Sequence, residues 1–286
     1  MYKALNYWIF GGFEGVRTPY EFIDWARKSG LDGVELTVGD AIKIDISEEE
    51  CRRISAFARQ HSIGLRTLAT GFFWGKSLSS ADESVRKEAI AFSRKYLQIA
   101  NWLGAESVLV VPGASRVPWD PSIPVTPYET AWKQSVRSLQ ELEPVAAKLG
   151  VNIALENVWG RFLLSPMEWK FFLDQFPSDR IGMYFDVGNS CLYVRSQDYI
   201  EIVGKRIKAV HIKNWKGDSL AGGNLHGFGE DILEGEVDFP AVFEALKRIG
   251  YQGPLTAEMI PFSRLPNLGL PDTDLAARTA GKLLKL

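Results

Sequence analysis

The stretch KLGVNIALEN, residues 148–157, holds a complete structural sentence: a glycine that stops a helix, a short apolar run, and a carboxylate where that run ends. Gly150 ends a helix cheaply because it tolerates the left-handed conformation of a C-terminal cap. The run that follows is too short for a helix and continuous enough for a strand buried on both faces. Glu156 then falls at the carboxyl end of that strand. The same grammar recurs in both directions along the chain. Glycine precedes a strand in KSGLDGVEL, QHSIGLRTL, WLGAESVLV and RIGYQGPL as well. Helix starts are equally plain, since Thr18-Pro19 with Glu21, Thr126-Pro127 with Glu129, and Ser165-Pro166 with Glu168 each offer an N-cap hydroxyl, a first-turn proline and a capping-box glutamate. Ser47 with Glu50 repeats the box without proline.

These signals place strands at 4–9, 33–37, 65–69, 107–111, 152–156, 182–186, 208–212 and 255–258, each followed by a helix. Eight such units predict an α/β chain folded as a single (β/α)8 TIM barrel, one domain over residues 1–286. An open doubly wound sheet would need a glycine-rich phosphate loop after the first strand, and GGFEGV is too loose to serve. No Pro- or Ser-rich linker divides the chain.

With 33 basic and 35 acidic residues the formal charge is −2, so no positive field draws nucleic acid or an anionic membrane, and a small soluble partner is expected. Cys51 and Cys191 are unclustered, which fits neither a disulfide framework nor a zinc knuckle and points to a reducing cytoplasm. The opening MYKALNYWIFGG has no sustained apolar segment with a small-residue cleavage site, so neither export nor a membrane anchor is expected.

In a barrel of this kind all strands open on one face at their carboxyl ends, where the βα loops build function. Glu156 in NIALEN, Asp186 in MYFDVGN, His211 in AVHIKN and Glu258 in LTAEM fall there on four successive strands. Three carboxylates and an imidazole suit one divalent cation, Mn²⁺ above all, with Co²⁺, Zn²⁺ or Mg²⁺ also accommodated. Two coordination positions would remain for a hydroxy-carbonyl substrate. Removing the proton beside a ketone builds charge on the carbonyl oxygen, which a cation spreads as a Lewis acid. Glu156 and Glu258, on strands five and eight, are placed to remove and return that proton from opposite faces. Return to the same carbon epimerises the sugar; return to its neighbour isomerises it.

The stretches LENVWGRFLLSP (155–166), YFDVGN (184–189), RIKAVHIKNWKG (206–217) and LEGEVDFPAVFEALKRIGYQGPLTAEM (233–259) resemble the xylose-isomerase-like barrel superfamily of sugar phosphate isomerases and epimerases. Within it the likeness is to the branch of L-ribulose-5-phosphate 3-epimerases and hexulose-6-phosphate isomerases. The resemblance implies metal binding by Glu156, Asp186, His211 and Glu258, acid/base roles for Glu156 and Glu258, and, with the abundance of aromatics, a homo-oligomer. Many ketose 3-epimerases carry histidine where this chain has Asn189, and the ribulose-phosphate branch is similar to this chain there. Many relatives read His-x-Lys-Asp, whereas HIKN puts Asn214 in the place of the aspartate.

Further candidates for substrate contact are Glu35 at the end of strand two, Asn157, Asn189, Lys213 and Arg161. Lys213 shares the parity of His211. Among the loop aromatics Phe72, Phe73, Trp74, Trp119, Trp159 and Trp215, Trp74 is the one singled out, since an aromatic face covers the apolar face of a sugar. Lys216 reads as a solvated charge, His61 as a helix-end cation, and His226 as part of an exposed glycine-rich loop. Rival functions remain in view: a lyase, dehydratase or C-glycoside-cleaving enzyme passing through the same enediolate, and a non-catalytic sugar-binding barrel. A multi-zinc DNA-repair endonuclease would want more than three histidines and a basic face.

Overall fold

The computed structural model describes residues 1–217 and 223–286. Eight parallel strands close into a barrel in sequence order: β1 Lys3–Asn6, β2 Gly33–Thr37, β3 Thr67–Ala69, β4 Ser107–Val110, β5 Asn152–Glu156, β6 Ile181–Asp186, β7 Ile207–Ile212 and β8 Leu255–Ala257, with β8 pairing back onto β1. One long helix follows each strand: α1 Pro19–Lys28, α2 Glu48–Gln60, α3 Glu83–Leu103, α4 Tyr128–Leu149, α5 Pro166–Leu173, α6 Ser196–Val203, α7 Phe239–Arg248 and α8 Thr273–Leu283. No described helix is long and apolar enough to cross a membrane.

Strand alternation sorts the side chains. On β5 Ile153 and Leu155 join the large core under the helices, as do Met183 and Phe185 on β6, Val210 and Ile212 on β7, and Leu255 and Ala257 on β8. The other parity points into the barrel, where Ala69, Leu109, Ala154, Tyr184 and Ala209 form a separate small cluster. The three alanines leave room for Tyr184 inside the barrel. Glu156, Asp186 and His211 continue the inward parity at the strand ends, and Glu258 follows β8 directly.

Local signals explain the joints. Thr18 and Ser165 form reciprocal capping boxes with Glu21 and Glu168, while Ser47 accepts from the Glu50 amide alone. The reading of Thr126 as a cap is corrected, because α4 begins at Tyr128 with Pro127 as its cap residue and no side-chain cap bond; Glu129 instead pairs with Lys133 at 2.5 Å. Gly30, Gly104, Gly150 and Gly250 all take positive φ at their helix ends. In QHSIG that conformation belongs to Ser62, with φ of 57°, rather than to Gly64. The reach of the first strand to residue 9 is also corrected: β1 stops at Asn6, and Trp8–Gly11 is a helical turn. Asn6 Oδ1 accepts from the Trp8 amide at 2.9 Å and starts the turn, and the Tyr7 ring lies so close to Gly11 that a Cβ there would sit 1.9 Å from it.

Candidate metal centre and active site

Glu156, Asp186, His211 and Glu258 each bring one ligand-type atom to a common point, all within 4.8 Å of one another, and all four residues are buried. His211 Nδ1 lies 3.2 Å from Glu156 Oε1, 3.6 Å from Glu258 Oε1 and 3.9 Å from Asp186 Oδ2. Asp186 divides its labour. Its Oδ1 accepts from the Asn189 amide at 2.8 Å and caps the short turn Val187–Ser190, while Oδ2 is buried with no hydrogen-bond partner. A buried carboxylate oxygen with no hydrogen bond, offset by the Lys213 ammonium 3.4 Å away and set among two more carboxylates and an imidazole, is a position a divalent cation would satisfy. The donor set therefore fits a metal.

The imidazole is oriented from below. His211 Nε2 and Glu35 Oε1 are 2.8 Å apart, so the ring donates there and turns Nδ1 to the cluster. Glu35 in turn accepts from Asn6 Nδ2 at 2.8 Å and from the Tyr184 hydroxyl at 2.5 Å. Burial alone would raise the Glu35 carboxyl, but His211, Thr67 and Tyr184 outweigh it and hold it below the ordinary carboxylate value. Burial alone would likewise lower His211; the charges of Glu35 and Glu258 reverse that and raise it. Burial and then the neighbouring charge of Glu258 push Glu156 up to about 7. Asp186 is raised by burial, against the pull of Lys213.

Lys213 completes the charge pattern. Its Nζ pairs with Glu258 Oε2, lies 3.4 Å from Asp186 Oδ2, and stands 5.0 Å from the centre of the Phe228 ring. Burial would lower this ammonium, yet Asp186, Glu258 and Glu156 raise it above the ordinary lysine value.

The structure sorts the other sequence candidates. Glu35 is wholly buried beneath His211 with both oxygens engaged, and so braces a cluster residue. Asn157 is tied to the end of β6, its Oδ1 accepting from the Asp186 amide and its Nδ2 donating to the Asp186 carbonyl, both at 2.8 Å. Asn189 donates Nδ2 to the Asn157 carbonyl at 2.9 Å and lines the cavity above the cluster. Trp74 and Lys213 line that cavity too, with Glu156 and Glu258. Arg161 stands outside it, exposed, with φ of 51°, on an adjoining chamber.

Asn214 lies off the cavity: its Oδ1 accepts from the Trp215 and Val237 amides, each at 3.0 Å, a loop-bracing task. Phe72 stacks on Phe92, and Trp215 is fully buried and donates to the Asn224 carbonyl, so both anchor structure. Lys216 pairs with Glu234 at the surface, and His61 meets the Phe57 carbonyl. Trp8, Phe228 and Phe262 line the cavity unannounced by the sequence. Tyr184 was legible in principle, since it sits two residues before Asp186 and shares its inward face.

A closed eight-stranded barrel with a buried carboxylate–imidazole cluster at the carboxyl-terminal mouth defines a (β/α)8 protein with a candidate metal centre. The chain belongs to the family described as xylose isomerase-like TIM barrel, whose model matches residues 23–285. Among its relatives is the putative L-ribulose-5-phosphate 3-epimerase SgbU of Escherichia coli strain K12, 24% identical over 241 residues, which cover 82% of this chain and 81% of SgbU. A crystal structure of a D-psicose 3-epimerase in the presence of D-fructose superposes with a TM-score of 0.79 at 19% identity, covering 100% of this chain and 97% of that one. The IOLI protein, crystallised with a bound zinc atom, gives 0.74 at 20% identity, covering 99% and 96%. At these identities the two structures establish a shared fold.

Proposed function

We propose that this chain is a divalent-metal-dependent epimerase or isomerase of a ketose or ketose phosphate. The observation that carries the reading is the placement of Glu156 and Glu258: both belong to the four-residue cluster, both line the same cavity, and they rise from β5 and from the end of β8. A divalent cation held by Glu156, Asp186, His211 and Glu258 would supply Lewis acidity towards a carbonyl oxygen. The chain's own residues then supply proton transfer. One glutamate takes the proton from the carbon beside the carbonyl and the other returns one from the opposite face, the exchange passing through an enediolate of the substrate. Asn189 offers a hydroxyl partner, and Trp74 an aromatic face, on the cavity wall.

The names carried by relatives support this class, and the oxygen-rich donor set supports Mn²⁺ ahead of softer ions. One domain over residues 1–286, a homo-oligomer and a cytoplasmic setting belong to the same proposal. The test is a screen of pentuloses, hexuloses and their phosphates with Mn²⁺, read by NMR of the products. A new stereoisomer or aldose supports the reading. A C–O or C–C cleavage product moves it to a lyase.

A further inference from the structure

Two stretches that leave the barrel mouth, one after β7 and one after β8, share a wall of the cavity at the cluster. From the first, Phe228 lines the cavity, with the Trp159 ring centred 5.1 Å away, the Phe262 ring 5.9 Å away, and Lys213 Nζ 5.0 Å from its own centre. From the second, Phe262 lines the same cavity as Glu258. A backbone bond joins the two stretches, the Ser263 amide donating to the Phe228 carbonyl at 3.2 Å. A wall built from loop side chains needs firmer ties than that, because loops are the mobile part of such a fold.

Arg264 supplies one. Its Nε and Nη2 donate to the two carboxylate oxygens of Glu230, both at 2.7 Å, and its Nη1 donates to Asp272 Oδ2 at 2.8 Å. Asp272 in turn caps α8, its Oδ1 accepting from the Leu275 amide at 2.7 Å. One guanidinium thus joins the stretch after β7, the stretch after β8 and the start of α8. The neighbouring Asp231 pairs with Lys282 on α8, so the first stretch is pinned at two successive residues. A bidentate fork fixes orientation as well as distance, which the point charge of a lysine does not. Both partners are partly exposed, Arg264 by 26% and Glu230 by 45%, so salt weakens the tie.

We propose that Arg264 is a positioning residue: it holds Phe228 and Phe262 as the wall that a ligand meets near Glu258, and so governs KM and not the proton transfer. The statement about KM rests on the epimerase reading; the tie itself does not. Arg264, Glu230 and Asp272 all stand outside the cavity lining, which denies them contact with the reacting atoms. Lys213 keeps Asp186 and Glu258 as partners when the tie is cut, so metal binding is spared.

The experiment cuts the tie from both sides, with Arg264→Ala, Glu230→Gln, the double variant and Arg264→Lys. Hydrogen exchange of the peptide covering 224–237, read by mass spectrometry, rises about fivefold in either single variant and no further in the double one than in Arg264→Ala. Arg264→Lys behaves more like Arg264→Ala than like the parent. Raising NaCl from about 0.05 M to about 0.5 M lifts the parent's exchange towards that of the variants and leaves Arg264→Ala unchanged. Calorimetric Mn²⁺ affinity is the same throughout. With a ketose that is converted, KM rises about fivefold while kcat holds. Exchange unchanged in both single variants, effects that add in the double variant, Arg264→Lys equal to the parent, or a fall in kcat or Mn²⁺ affinity matching the rise in KM overturns the proposal. Should no ketose be converted, the epimerase reading fails, and the exchange cycle with its salt dependence still upholds or overturns the tied wall.

Discussion

The two halves of the barrel mouth contribute different things. Strands β5 to β8 deliver Glu156, Asp186, His211 and Glu258, with Lys213 beside them. The half built on β1 to β4 delivers Trp8, Thr70, Trp74, Leu109, Val111 and Trp119 to the same cavity, none of them charged. Its one carboxylate aimed at the cluster, Glu35, lies below the imidazole and never reaches the cavity. Charge is thus concentrated on one side, and shape and support on the other. In the proposed reaction, a substrate held between them has its reacting carbon over the charged half and its apolar face against the uncharged one.

The division predicts a graded set of losses. Glu258→Gln or Glu156→Gln keeps much of the ligand geometry while removing a proton carrier, so steady-state turnover falls about 10²-fold or more; turnover within a few-fold of the parent would erase the distinction between the halves. Glu35→Gln, from the supporting half, is expected to weaken metal affinity about 10- to 100-fold by loosening the His211 tautomer, the size usual for such outer partners. Titration calorimetry with Mn²⁺ reads it, and an unchanged affinity would remove Glu35 from its positioning role. Trp74→Ala sits lower still, raising KM several-fold with kcat nearly constant, as expected for loss of uniform binding; a fall in kcat alone would draw this wall into the chemistry.

The pH dependence sharpens the same contrast. In the metal-free protein the Glu156 pKa of about 7 lies above its ordinary 4.5, so between those values the folded chain holds a proton that the unfolded chain has lost. That contribution to stability is fully present below pH 4.5 and is lost as pH rises through 7. A metal needs the deprotonated carboxylate, so its affinity moves the opposite way. Thermal scans should show a larger Mn²⁺-induced rise in Tm at pH 8 than at pH 5.5. An equal rise at both would place Glu156 outside the binding step.

Much of this was legible in the sequence because inward parity and strand ends are local properties. The alternation that sends Ile153 and Leu155 outward sends Glu156 inward, and the same holds for Asp186 and His211 on their strands. Depth was not legible. Glu35 and Glu156 have the same local signature, a carboxylate late in a short apolar run, and only the stagger of the closed barrel sets one beneath His211 and the other beside it. Nor could the sequence show that Asn157 spends its amide on the Asp186 backbone, or that Tyr184 meets Glu35 across 149 residues of chain. Short strands also mislead at their ends. The apolar run after Asn6 reads as strand until the Asn6 side chain starts a turn.

The most direct test of two opposed proton carriers is turnover in D₂O with Mn²⁺ and a ketose that the enzyme converts, followed by NMR of the product. A carboxylate exchanges its proton with solvent between turnovers, so deuterium should appear on the carbon beside the carbonyl, and one of Glu156→Gln or Glu258→Gln should still exchange it without completing the inversion. Product that remains free of deuterium through many turnovers would contradict the account.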